Sequence, residues 1–268
     1  MPETYVGMVY KMSRARVHFK AIDRSIKRFN ASNANSVVND FYTEPGYLIV
    51  NAVSRREPSR YLSQLIGDWL YNIRATLDYT ACELARINGE AIDDKVEFPI
   101  FLEPHKYRNP NTGQVTNAIK DRIGKLHPIH QAIIEEEQPF KGRYGEPEDD
   151  PLWLLYRLSN FDRHQLAHLT SVVTNASFHN FTPPEHAARF QRVSVTYGAF
   201  EKKAEVAKFR ILPGPDIEVH VDSAVRFDVA FDKEGPGAGR PVLSTLSDIG
   251  RRVMNVVDAF TYAVIPPK

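Results

Sequence analysis

The sequence predicts an α+β fold: a mainly helical bundle with an antiparallel β meander inserted before the C-terminal helix. Three observations carry this. Apolar residues recur at helical spacing in four long segments, near residues 10–30, 59–87, 150–168 and 241–264. Between about residues 190 and 232 the period drops to two. Val193, Val195 and Tyr197 alternate there, Val206 leads toward Phe209 and Ile211, and Ile217, Val219 and Val221 alternate again, as do Val225, Phe227, Val229 and Phe231. Gly198, Pro213-Gly-Pro215 and Asp222-Ser223 supply turns, enough for about four strands. The chain reads as one domain over residues 1–268, with a helical core over about 10–176 and 241–264.

The elements follow in order. Ala15, Phe19, Ile22, Ile26 and Phe29 form one face of a first helix, and Arg16, Lys20, Arg24, Lys27 and Arg28 form a basic opposite face. That face reads most simply as solvated, with a phosphate contact as the alternative. Tyr47 to Val53 is β-branched and short, a strand placed to join the later sheet. Arg56-Glu-Pro-Ser59 breaks it and opens the longest helix, 59–87. Leu62, Leu65, Ile66, Trp69, Ile73, Leu77 and Leu84 make its apolar face. Asp68, Tyr71, Asn72, Ala75, Tyr79 and Cys82 lie opposite, a poor set for open water, so this helix is expected to pack on both sides. Arg74 and Asp78, at i and i+4, are placed to pair.

Residues 88–113 look irregular, with Phe98-Pro-Ile-Phe101 as an anchor and Asn109 to Gly113 as turn chemistry. Short helices follow over 114–125 and from Pro128 through Ile134. Glu135-Glu-Glu137 reads as a solvated charge run, and Lys141 to Asp150 as a loop. Asp150-Pro151 is an N-cap followed by a first helical proline. Gly235 to Gly239 is a flexible break, after which Pro241 starts the last helix with Val242, Leu246, Ile249, Val253, Val257 and Phe260.

Composition narrows the function classes. The hydrophobic fraction is 43% and the charged fraction 25%, those of an ordinary globular protein. A formal net charge of +1 gives no global field that recruits nucleic acid or an anionic membrane, so such binding needs a local patch. A single cysteine, Cys82, excludes an internal disulfide and a cysteine-based zinc site. No apolar run approaches the roughly 18 residues that span a bilayer, and no signal-like apolar region opens the chain. The expectation is a cytoplasmic protein with no membrane contact and no cofactor.

The segment from Asp150 to His168 is the most informative. At about 100° per residue, Arg157, Asn160, His164 and His168 fall on one stripe opened by Trp153. Leu155, Leu158, Leu166 and Leu169 lie opposite. Surface stripes are usually Lys and Glu, so this set reads as a half-buried polar seam. Arg157 and His164 are seven residues apart, two helical turns, and suit acid/base work on a phosphodiester. The imidazole moves a proton while the guanidinium steadies the phosphate. Arg163 and His168 are five apart and cooperate only across a partner or at a frayed helix end.

Metal binding is the other chemistry in view. His164 and His168 are spaced i,i+4, and His127 and His130 lie near Glu135, Glu136 and Glu137. Gln165, however, stands where the glutamate of an HExxH motif belongs, so no metal is expected. No glycine-rich phosphate loop and no nucleophile elbow is present in the sequence.

Two resemblances bear on function. The arginine–histidine spacings resemble the pattern of HEPN-type helical domains, many of which are metal-independent ribonucleases that work as dimers. More broadly, residues 46–170 resemble a family of uncharacterised bacterial and phage proteins. That family shares a strand, a "gDxxxNxRxxLDH" helix, an "FPIF" segment and an "NxDKHR"-like helix. The matching residues are Asp68, Asn72, Arg74, Leu77, Asp78, Phe98 to Phe101, Asn160, Asp162, Arg163 and His164. Tyr79 stands where histidine is usual, and Arg163 where lysine is.

The HEPN resemblance implies an RNA-binding or RNA-cleaving homodimer, in phage defence. His164 would be the acid/base, Arg157 or Arg163 the phosphate contact, and Asn160 the group that orients the histidine. Asp68, Asn72, Arg74, Asp78 and His168 would stand behind them. The competing expectation is a non-catalytic interaction protein whose seam only locks helices in register, bound to Asp68, Asn72 or Asp78. The two differ in exposure: a nuclease needs Arg157 and His164 open, whereas a scaffold buries them with every donor paired.

Overall fold

The structure, a computed structural model, describes residues 6–41, 44–182, 184–214 and 220–261. The expected strand positions Ile217 and Val219 lie outside these residues. In order the elements are α1 (Val6–Ala31), β1 (Asn35–Asp40), β2 (Tyr47–Ser54), α2 (Arg60–Ile87), α3 (Pro104–Tyr107), α4 (Asn117–Ile123) and α5 (Pro128–Glu136). Then come α6 (Pro151–Asp162), β3 (Leu169–Thr182), β4 (Phe190–Val195), β5 (Gly198–Phe200), β6 (Lys203–Ile211), β7 (His220–Phe231) and α7 (Val242–Thr261). This is the α+β architecture with strands ahead of the final helix. No described helix is long and apolar enough to cross a membrane.

The chain forms two compact units. The first takes in residues up to Ala21, Gln64–Ala167 and those from Leu243 on, and is helical. Its helices begin where local chemistry dictates. His127 caps α5 by accepting from the Ile129 amide, and Asp150 caps α6 by accepting from the Leu152 amide at 2.8 Å. Proline follows each cap, where its missing N–H costs nothing.

On α2 the predicted apolar face is buried, and so are Ala75, Thr76, Thr80 and Ala81, so packing extends round most of the helix. Tyr71 and Tyr79 depart from the two-sided expectation. Both are exposed, and the Lys11 ammonium of α1 lies 4.7 Å and 5.6 Å from their ring centres. On α7, Leu246, Ile249, Val253, Val256, Val257 and Phe260 are buried as one face.

Glu135-Glu-Glu137 is not a solvated run. Glu135 pairs with Arg108 and Glu136 with Lys141, while Glu137 is 6% exposed and pairs with Arg143 and Arg252. Arg252 of α7 also reaches Asp150, the cap of α6. His130, read as a metal candidate, is buried with its ring against Phe260 at 6.0 Å.

The second unit, Ile22–Ser63 and His168–Val242, is a sandwich of two antiparallel sheets. One has the order β1-β2-β6-β4 and the other β5-β3-β7. The early strand β2 does join the later strands, pairing with β6 in a register that sets Val50 against Ala207. Between the sheets, Leu48, Val50, Ala207 and Phe209 meet Val221, and Phe178 packs edge-on to Phe209 at 5.2 Å. A second cluster joins Ala52 and Val206 to Val173 and Phe200.

Three strands depart from the sequence expectation. The turn expected at Asp222-Ser223 is not formed: both residues lie inside β7, opposite His179 and Phe178 of β3. The helical core was expected to run to about residue 176, yet α6 ends at Asp162 and β3 starts at Leu169. Leu166, a core position of that helix by its spacing, is 42% exposed. Thr170, Val172 and Val173 are β-branched, stiff at χ1, and pair with β7 instead. β1 escaped because Asn35-Ser-Val-Val-Asn-Asp40 is a polar edge strand without alternation.

Candidate functional site

The candidate site is the exposed side of α6 and the turn that follows it. Asp150 fixes the start of the helix, and Leu152, Leu154, Leu155 and Leu158 hold its inner face. Arg163 keeps right-handed helical angles beyond the last helical residue, and the Gln165 amide donates to the Phe161 carbonyl at 2.9 Å. The chain therefore makes one further helical turn, which carries His164 about two turns beyond Arg157.

Arg157, Arg163 and His164 are exposed, and Asn160 is half-buried. Among the described residues none of these four side chains has a hydrogen-bond or ion-pair partner. Asn160 thus forms no bond that would orient His164 here. His168 lies past the end of the helix and belongs to the second unit, where its carbonyl accepts from the Asp232 amide. The stripe expected to run through His168 accordingly stops at His164.

Behind this turn α6 meets α2 and α1. The Asp162 carboxylate rests on Gly67: a Cβ built there would lie 2.5 Å from Asp162 Oδ2. Asp68 sits beside it, its carboxylate 3.8 Å from His18 Nδ1 of α1. Burial, followed by the neighbouring Asp68 charge, raises the Asp162 carboxyl above the usual carboxylate range. Asp162 Oδ1 and Ser159 Oγ are enclosed without a partner among the described residues. Asn72 is buried and donates to the Asp68 carbonyl at 2.7 Å, so it serves its own helix.

Arg74 and Asp78 face a different task. Asp78 Oδ1 accepts from the Phe98 amide and from Arg74 Nη2, both at 3.0 Å, while Arg74 Nη2 also donates to the Phe98 carbonyl at 2.6 Å. From the other side, Gln138 Oε1 accepts from the Phe101 amide and its Nε2 donates to the Pro99 carbonyl, each at 2.9 Å. The Phe98–Phe101 segment is thus held by its backbone between α2 and the end of α5. Burial raises the Asp78 carboxyl, with the Arg74 charge opposing it.

Sequence reasoning missed His18, Gly67 and Gln138. Gly67 had a signal, a glycine inside a long helical pattern, which calls for a close approach. His18 and Gln138 had none, because their partners lie tens of residues away. Among the described residues no group of three or more His, Cys, Asp or Glu side chains gathers as metal ligands. The Cys82 thiol is half-buried, donates to the Val96 carbonyl, and is made less acidic chiefly by burial.

Two outcomes follow from this geometry. Gly67→Ala forces Asp162 aside and is expected to cost about 1–3 kcal/mol, the range for overpacking. The loss shrinks when Asp162→Ala is added, as a double-mutant cycle by urea denaturation will read. Asp162→Asn concerns pH. The raised carboxyl favours the fold while protonated, and that contribution is lost as pH rises through its folded pKa. Relative to Asp162→Asn, the wild type should therefore lose stability from acidic toward neutral pH. A stability difference that stays flat across that range would contradict this.

No protein-family model, curated protein or solved structure matches the chain.

Proposed function

We propose that this chain binds single-stranded RNA along the open side of α6 and cleaves it without a metal ion, as HEPN-type domains do. The observation that carries the reading is the exposure of Arg157, Arg163 and His164 with no partner among the described residues. It favours a working surface over the competing scaffold, because groups that lock helices in register are buried and paired.

The chemistry uses this chain's own side chains. The His164 imidazole takes the proton of a ribose 2′-hydroxyl, whose oxygen then attacks the adjacent phosphorus. The bond to the 5′-oxygen breaks, that oxygen receives the proton from the imidazolium, and a 2′,3′-cyclic phosphate remains. Arg157 and Arg163 bind the phosphate oxygens while charge builds on them. Two copies act together in this reading.

The test is degradation of a mixed RNA pool by the purified chain, with and without EDTA. Cleavage that survives EDTA and leaves cyclic phosphate ends is expected. Cleavage abolished by EDTA moves the chemistry to a metal, and an intact pool overturns the reading.

A further inference from the structure

Two tyrosines of α2 stand open beside a lysine of α1. Tyr71 is 65% exposed and Tyr79 43%, and the Lys11 ammonium lies against both rings. A lone exposed apolar residue is ordinary, but two rings that share one cation form an ordered surface. Gly7 of α1 fixes the second ring. A Cβ built there would overlap Tyr79, so the ring rests on bare helix backbone. Arg14, three residues on from Lys11 and so on the same side of α1, is exposed and has no partner among the described residues.

This surface continues from the end of α6. Asp162 rests on Gly67, and Tyr71 lies four residues beyond Gly67, about 6 Å along the axis of α2. Tyr79 lies a further 12 Å or about two turns on. His164 is two residues past Asp162, so the rings lead away from it along α2. Asp68, an exposed carboxylate beside Gly67, repels phosphate there and leaves that role to the cations of α1.

We infer that α1 and α2 form a second contact for the RNA strand: bases stack on Tyr71 and Tyr79, and Lys11 and Arg14 take the phosphates between them. This rests on the reading of α6 as the RNA-cleaving side. The surface fits a single strand, because only unpaired bases offer a free face to a side-chain ring. It is tolerant of sequence, since every base has a π-face. Cations set among rings match a partner that alternates phosphate with base, a pattern that the apolar face of another protein lacks.

Fluorescence anisotropy of the full chain with a short labelled 2′-O-methyl oligoadenylate tests this. That strand lacks the free 2′-hydroxyl that cleavage needs, so it reports binding alone. Tyr71→Ala and Tyr79→Ala should each weaken binding about tenfold, in line with loss of one stacked base, while Tyr71→Phe and Tyr79→Phe should keep it. Lys11→Gln should lower the slope of log affinity against log salt by about 0.7, the share of one phosphate on a single strand. Unchanged binding in the alanine variants, or equal losses in the alanine and phenylalanine variants, overturns the surface. If the alanine variants bind normally but turn a dimer into a monomer, the face belongs to a second copy and the inference fails. Cleavage of unmodified RNA separates the two readings. Cleavage with strand binding indifferent to both tyrosines sinks the stacking surface alone; tyrosine-dependent binding without cleavage leaves the surface standing and sinks the nuclease.

Discussion

With His164 replaced by alanine, cleavage of RNA is expected to slow by about 100- to 10,000-fold, the usual contribution of a positioned acid/base group. Stability should change by less than about 0.5 kcal/mol, because the imidazole is exposed and has no partner to lose among the described residues. That combination distinguishes chemistry from scaffolding. Arg157→Ala and Arg163→Ala should act differently, raising KM through weaker phosphate binding. Arg157→Lys should recover only part of that loss, since an ammonium lacks the fork that grips two phosphate oxygens. Single-turnover rates across these variants separate binding from the chemical step. If His164→Ala cleaves at the wild-type rate, the imidazole takes no part.

Features set by neighbouring residues were readable from the sequence. Asp150-Pro151, His127-Pro128 and Pro241 mark helix starts through chemistry confined to one turn, and the structure places α6, α5 and α7 there. The alternation of Val225 to Phe231 likewise became β7. What failed depends on distant partners. Leu166 and Leu169 fit a helical face by spacing, but the β-branched run from Thr170 finds its hydrogen bonds in β5 and β7, roughly 25 to 60 residues on. β1 is polar and becomes a strand only because β2 offers it an edge.

The site divides in the same way. Residue types on α6 predict a half-buried seam, whereas Arg157 and His164 are exposed, and the turn after α6 sets His164 about two turns beyond Arg157. Arg74 and Asp78 stand behind the histidine only in what the resemblance implies, while their i,i+4 spacing predicts the ion pair that the structure contains. Their backbone partner, Phe98, sits 24 and 20 positions further on, a distance over which spacing rules carry no information. The two residues hold the Phe98–Phe101 segment, and through it one wall of a groove beside Trp153 and Tyr156.

Arg252→Ala is expected to be the most destabilising single change considered, costing about 3–5 kcal/mol. The guanidinium is 2% exposed, binds Glu137 through Nη1 and its carbonyl through Nη2 at 2.8 Å, and reaches Asp150 at 3.4 Å. The Tyr144 ring lies 4.9 Å away. Burial disfavours this cation, but the Glu137 bond and the Asp150 charge outweigh it and leave it more basic than an ordinary arginine. Removing it leaves two nearly buried carboxylates, with Arg143 the remaining cation bonded to Glu137. Both tryptophans, Trp69 and Trp153, lie in the same helical unit, so their fluorescence during urea unfolding reports on that unit. A loss below about 1 kcal/mol would mean water already solvates the network. The triple change Arg252→Met, Glu137→Gln and Asp150→Asn should recover most of the loss. Replacing all the charges removes the uncompensated carboxylates, and asparagine keeps the cap on α6. Because Asp150 starts the helix that carries Arg157 and leads to His164, Arg252→Ala should also fray α6 from its first turn. Faster amide exchange there than in the triple variant would tie the buried charges to the exposed surface.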